Sequence, residues 1–530
     1  MKRKIKFALA AAVMLVFALQ MTALAAGLGV SVNACVIVGN QVHVAASGAV
    51  QASDTGQYYL FALEPYETEV GARTDYCAAM PASESVTFTT DLNLNTASSR
   101  LYSRFVVTVL RAGVFVPVSN EMYITNPEVL ASVSTGYPAR SKKGVIADWR
   151  YTSDLTELNA GYATYVLDVS KFFQAGGVNF TYNGKNYSFN STAVAEADAV
   201  CSLFTNEGCN VVMVIINNYN PAALDMVPPL GRTASMTTYA FNVQEQVPAE
   251  KLEALMSFLV QRYANNGHGA IHSWVIGNEV NNNYPAHYQG NISVDEFAAD
   301  YAKQFRVCYN AIKSYNKDAR VYTNIDQRWN WLDKASPLQY PSRTFLDKFA
   351  ANITATGNID WGLTIHPHAV PMDNCRFWLI PRPESTMNLV SHNDDSKFAT
   401  IQNMEVFTEH MKHPEMLSPN GTVRHIMITE LGFNASETNR HGSNEQYQAA
   451  ALVYAYKKAE SLPEIEAFII HKHNDDPGEA ASEVSFGLRV GDRKRFAYDV
   501  FKFMDTGSTA YTDFALPIIG VSSWAELGLQ

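Results

Sequence analysis

Beyond position 143 the chain repeats one unit, a short apolar run followed by a polar loop and an amphipathic stretch. The apolar runs fall at 144–147, 163–169, 210–216, 271–277, 320–325, 359–365, 424–429 and 465–470. Helical patterns occupy 191–205, 249–264, 294–315, 343–352, 401–412, 444–461 and 493–504. Near-continuous apolar strands alternating with helices suit a parallel sheet covered by helices. A doubly wound open sheet shares this local pattern, but eight units in succession favour a closed (β/α)8 TIM barrel, an α/β fold. The first crossover leaves room only for a stubby helix at 153–158, and Asn183-Gly184 within 178–189 predicts a β-hairpin at the barrel mouth.

Ahead of the barrel, between 27 and 125, short alternating or β-branched runs are separated by turn residues every ten or so positions, the pattern of a small β-sandwich. Such a domain either binds sugar or simply packs against its neighbour. Still earlier, Lys2, Arg3, Lys4 and Lys6 precede an apolar run from 7 to 19 and then Ala23-Leu24-Ala25, the layout of a secretory signal. The run is shorter than the roughly 20 residues that span a bilayer. The expected organisation is a signal peptide at 1–25, a β-sandwich at 26–126, a connector rich in Ser, Pro and Gly at 127–143, and the barrel at 144–530. A secreted protein is expected, extracellular or periplasmic, with no membrane attachment once the signal is removed.

Of the 530 residues 47% are hydrophobic and 17% charged, too apolar for a disordered chain. The formal charge of -11, with no long basic run, argues against nucleic acid as a partner. The six cysteines, scattered from Cys35 to Cys375, are too few for a disulfide scaffold; Cys35 and Cys77 either pair or stay as buried thiols.

A barrel places its chemistry at the C-terminal ends of its strands. Two runs end in carboxylates there: the fourth leads into Gly277-Asn278-Glu279, and the seventh into Thr429-Glu430-Leu431-Gly432. A glutamate at the end of an apolar strand is costly to desolvate and needs partners. One such residue has an equally good structural explanation; two of them, three βα units apart, favour catalysis.

These motifs resemble those of the clan A glycoside hydrolases, retaining (β/α)8 enzymes, and the chain looks closest to secreted bacterial members of unassigned activity. The resemblance implies that Glu279 is the general acid/base, Asn278 a ligand of the substrate 2-hydroxyl, and Glu430 the nucleophile. It also implies that His366, after strand six, orients Glu430. Glycosidic cleavage through an oxocarbenium-like transition state needs this division of labour, a proton donor at the leaving oxygen and an anion below the anomeric carbon.

Other strand ends offer sugar contacts, each with an equally good structural explanation: Asp148 and Trp149 after strand one, Asn217 and Asn218 after strand three, Asp326, Arg328 and Trp329 after strand five, His368 after strand six, and His471 and His473 after strand eight. Two departures from the clan stand out: His471-Lys472-His473 replaces the usual strand-eight Trp, and no Arg follows strand two. His366-x-His368 and His471-x-His473 also fit a barrel metallohydrolase, with both histidines of each pair on one side. Such enzymes place His-x-His on strand one, where this chain has Ala147-Asp148-Trp149. The expectation is therefore a monomeric, cofactor-free and metal-free glycoside hydrolase acting on a polysaccharide or oligosaccharide, with a non-catalytic carbohydrate-binding barrel as the alternative. Loops at 219–247 and 369–397, the second carrying Phe377, Trp378 and Arg382, are expected to shape the cleft.

Overall fold

The computed structural model describes residues 28–138, 140–174, 176–233, 235–379 and 389–529, so the signal segment and Arg382 lie outside the described residues. Eight parallel strands form the barrel: Lys143–Ile146, Tyr162–Asp168, Asn210–Asn218, Ser273–Ile276, Arg320–Asp326, Gly362–His366, Ile426–Ile428 and Ile465–Ile470. They are numbered here one to eight. Strand one pairs with both strand two and strand eight, which closes the cylinder. An open sheet would have left two unpaired edges. Thr238–Tyr239 folds back antiparallel on the end of strand three.

Alternate residues point in and out, as a strand dictates. Tyr162, Val212, Val214, Val275, Tyr322, Met427 and Ala467 fill the barrel interior. The opposite faces, with Val211, Met213, Trp274, Val321 and Leu363 among them, pack under the helices. Full burial of each such aliphatic side chain is worth about 1.5–3 kcal/mol. The helices start where local chemistry satisfies their first N–H groups. Ser293 and Glu296 make a capping box on Val294–Lys313, and Asn190 and Asn444 cap Ser191–Asn206 and Glu445–Glu460.

The segment expected to be a plain connector helps to build the barrel. Val133 bridges Asn316, and the Tyr137 hydroxyl lies 2.8 Å from Ser273 Oγ and 3.2 Å from Tyr322, with Arg320 over its ring. Lys143 is buried at the start of strand one, where its ammonium donates to the carbonyls of Phe501 and Lys502 and pairs with Asp505 at 2.7 Å.

The N-terminal domain has two antiparallel sheets. One is Val30–Val38, Gln41–Gly48 and Ser85–Asp91; the other joins Ala78–Pro81, Gln57–Leu63, Arg104–Arg111 and Val114–Pro117, with Met122–Tyr123 on Arg104–Arg111. Val32, Val42, Val44 and Phe88 meet Leu60, Phe105, Val107 and Val109 between them. This domain sits on the helical layer: Asn310 donates to the Leu101 carbonyl, and the buried Arg306 guanidinium lies beneath the Tyr123 ring.

The hairpin Val178–Tyr182 with Lys185–Phe189 forms as expected, with Asn183 and Gly184 both at positive φ. Its placement corrects the expectation of a mouth decoration. Phe180 and Phe189 pack on Phe258 of helix Gln246–Arg262, and the Tyr182 hydroxyl meets Tyr102 of the N-terminal domain at 2.7 Å. Its apolar face is buried in the outer layer, where a partner surface exists. All six cysteines are free thiols, so Cys35 and Cys77 do not pair. Among the described residues no helix is long and apolar enough to cross a membrane.

Candidate active site

Strand four ends at Ile276, whose carbonyl accepts from the buried Tyr301 hydroxyl. The chain then turns sharply through Gly277 (φ 85°) to Glu279 (φ 43°). A Cβ on Gly277 would sit 2.3 Å from Val280 Cγ1, which explains the glycine. Glu279 has a Cβ and holds a left-handed backbone all the same, a strained state that persists only when its surroundings impose it. Asn324 supplies the constraint, because its side-chain oxygen accepts the Glu279 N–H. The carboxylate itself accepts from His366 Nδ1 at 3.0 Å and from Asn282 Nδ2 at 3.3 Å.

Strand seven delivers Glu430 to the same place. Three imidazoles surround it: His368 Nε2 at 3.6 Å, His366 Nδ1 at 3.9 Å and His471 Nδ1 at 4.0 Å. Burial opposes ionisation of Glu430, yet His366, His368 and His471 outweigh it and hold the carboxyl well below the usual range. For His366 burial likewise opposes the charge, but Glu430 and then Glu279 overcome it and raise the ring above the ordinary histidine value. The histidines thus favour the ionised form of Glu430, and Glu279 and Glu430 share one imidazole nitrogen. That shared contact bounds their separation at about 7 Å, which accommodates the roughly 5–5.5 Å of a nucleophile and acid/base pair.

Asn324 fixes the histidine as well. Its oxygen is committed to the Glu279 N–H, so its amide nitrogen faces His366 Nε2 at 3.1 Å and Thr364 Oγ1 at 2.7 Å. In the neutral ring, an amide that donates to Nε2 leaves the proton on Nδ1, aimed at Glu279. His366, His368 and Glu430 offer ligand atoms within 4.8 Å of one another, but a protonated Nδ1 has no lone pair to give an ion. His366 faces Glu430 as expected and also makes a shorter contact with Glu279, while His368 and His471 complete the shell around Glu430. His471 is oriented from behind by Glu479, 2.7 Å from its Nε2.

Sequence reasoning missed Asn324, Asn282 and Glu479. For Asn324 a signal existed, since it lies two residues after the inward-facing Tyr322 and must share its direction. Asn282 comes from a turn and Glu479 from the short helix Pro477–Ala480, whose placement no periodicity predicts.

Several of the residues expected to contact sugar are buried or bonded to other protein groups. Trp329 is fully buried, donates to Asp394 and packs edge-on against His410. Asp326 is buried beneath Asn281, Asn282, Ser342 and Arg328, and Arg328 is held in that pair. Asn217 is buried and donates to the carbonyls of Met226 and Ala240, while Asn218 accepts from Thr238. His473 does not stay beside His471: the chain turns after Ile470 and sends its ring to Asp154 at 2.9 Å. Asp148 is paired with Arg150 and bonded by Asn474. Asn278 is half-buried beside Glu279, and Trp149, 63% exposed, stands at the end of strand one.

Fold and site together define a closed (β/α)8 barrel protein with two glutamates at its C-terminal mouth. The chain belongs to the family described as "Family of unknown function (DUF5722)", whose model matches residues 136–527. No curated protein matches it in sequence. Similar solved structures include a family 39 glycoside hydrolase from Bacteroides cellulosilyticus WH2, with 14% identity and a TM-score of 0.46 over 87% of this chain and 80% of that one. A β-glucuronidase of Ruminococcus gnavus has 10% identity and a TM-score of 0.37 over 90% of this chain and 69% of that one. A β-glucuronidase of Bacteroides uniformis has 11% identity and a TM-score of 0.37, with 89% of this chain and 49% of that one covered.

Proposed function

We propose that this protein is a secreted retaining glycoside hydrolase acting on a polysaccharide or oligosaccharide. The observation that carries the reading is the single imidazole, His366, set between the carboxylates that end strands four and seven. Glu430, held ionised by its histidines, attacks the anomeric carbon while Glu279 gives its proton to the departing glycosidic oxygen. The C–O bond to the aglycone breaks and a glycosyl ester forms on Glu430. Its negative charge is then gone, and Glu279, now a carboxylate, takes a proton from water. The water oxygen attacks the anomeric carbon and Glu430 leaves, so two inversions give net retention. Trp149 at the rim is a ready apolar face for a sugar ring.

A mechanism-based fluoroglycoside panel tests this. The expected result is one glycosyl adduct located on Glu430 by peptide mass spectrometry and lost in Glu430→Gln. Sugar affinity with no adduct from any panel member would instead favour a binding protein that has kept the barrel without turnover.

A further inference from the structure

We propose that Asp394, His410 and His413 form a zinc site on the barrel flank, between helix Ser342–Ala355 and helix Glu405–His410, apart from the glutamate pair. Their ligand atoms lie within 4.8 Å of one another. The telling group is His410. Its ring is buried, and Nε2 lies 2.8 Å from Asp347 Oδ1. A carboxylate only accepts, so the proton of the neutral ring is on Nε2 and Nδ1 presents a lone pair.

That lone pair has no hydrogen-bond partner. The atom it faces, Asp394 Oδ1 at 3.2 Å, is also an acceptor, already bonded by Trp329 Nε1–H. A buried imidazole lone pair and a carboxylate oxygen at that distance repel unless a cation lies between them. Zinc at about 2.0–2.1 Å from each, with a tetrahedral angle, sets them roughly 3.4 Å apart. An imidazolium bonded to both carboxylates is the competing arrangement, and it calls for a directed Nδ1–H to Asp394 bond that is absent here.

The remaining features suit the ion. Asp347 behind His410 makes the carboxylate–histidine–metal relay that fixes the tautomer and strengthens the ligand. Arg343 pairs with the other oxygen of Asp394 at 2.8 Å, so Oδ1 carries only the Trp329 N–H and keeps a lone pair for the ion. His413, with a side chain 45% exposed, follows three residues after His410 and provides both the third ligand and the entry path. Two imidazoles, a carboxylate and a water are a borderline-soft set that favours zinc over calcium or magnesium. Bound zinc would tie the segment carrying Asp394, which also packs on Trp329, to the end of helix Glu405–His410.

The test uses the whole secreted chain, stripped of metal with a chelator, dialysed and titrated with zinc chloride by calorimetry, with metal content checked by elemental analysis. One zinc is expected to be lost in His413→Ala and in Asp394→Asn, each weakening binding by at least about 100-fold, and Asp347→Asn should weaken it about 10–100-fold. Cobalt substitution should give the visible absorption of a tetrahedral site, absent in His413→Ala. His413 is half-exposed, so that variant should keep the circular dichroism of the parent. His368→Ala should retain this zinc. No zinc on the parent chain at tens of micromolar, equal binding by His413→Ala and Asp394→Asn, or a site abolished by His368→Ala alone would each overturn the proposal.

Discussion

The Nδ1 nitrogen of His366 stands 3.0 Å from Oε1 of Glu279. This contact joins the end of strand six to the turn after strand four. Because the same nitrogen also faces Glu430 at 3.9 Å, a proton there is attracted by both carboxylates. The histidine therefore couples the two residues proposed to do the chemistry.

If Glu279 is the proton donor, Glu279→Ala should lose activity in proportion to how badly the leaving group needs a proton. Aryl glycosides with acidic phenols should be cleaved within about 10-fold of the parent rate, whereas alkyl glycosides should fall by about 10²–10⁴-fold. Steady-state rates across a series of leaving groups check this, and parallel losses throughout would reassign Glu279.

Asn324 should act as a positioning residue. Asn324→Ala frees both the Glu279 N–H and His366 Nε2. A displaced acid/base group of this kind costs on the order of 10²-fold in kcat, with KM little changed. The pH–rate profile should move as well, because the amide no longer holds the His366 tautomer; an unshifted profile would point to a purely structural role.

Two limbs of stability against pH should trace to the site. His366 titrates above its unfolded value, so its contribution is complete below about pH 6.5 and is lost as pH rises through the raised value. Glu430 titrates below its unfolded value, so its contribution is present above about pH 4.3 and fades as pH falls. Urea midpoints should show the stability gap between the parent and His366→Gln narrowing from neutral to alkaline pH. The gap between the parent and Glu430→Gln should narrow on the acid side.

Asp154 should close the seam between the first and last βα units. It lies in the short helix after strand one, buried against Arg489 and His473 from the segment after strand eight. Asp154→Ala leaves the Arg489 charge unpaired in the interior and should destabilise the barrel by roughly 3–5 kcal/mol. Denaturant unfolding followed by tryptophan fluorescence measures it.

The barrel was legible because its signal is local and periodic. Val211, Met213 and Ile215 are apolar for one layer, Val212 and Val214 for the other, and this pattern marks a strand buried on both faces wherever it occurs. The Asn183-Gly184 turn and the stubby helix at Ser153–Glu157 were legible for the same reason. Glu279 and Glu430 were found because an ionisable group beside an apolar run is conspicuous.

What could not be seen was the direction of side chains beyond the last strand residue. Trp329 and His473 looked like mouth residues and are core residues, because the turns that carry them bend away from the strand axis towards Asp394 and Asp154.

Sequence alone determined the strand count, the class of the fold and the two glutamates, since each depends on neighbours a few positions away. Only the tertiary structure decided that His366 lies between Glu279 and Glu430, that Asn324 holds Glu279 and His366, and that three histidines gather around Glu430. These contacts join residues from different strands, and closure of the cylinder, with its tilt and stagger, sets which side chains meet across the mouth.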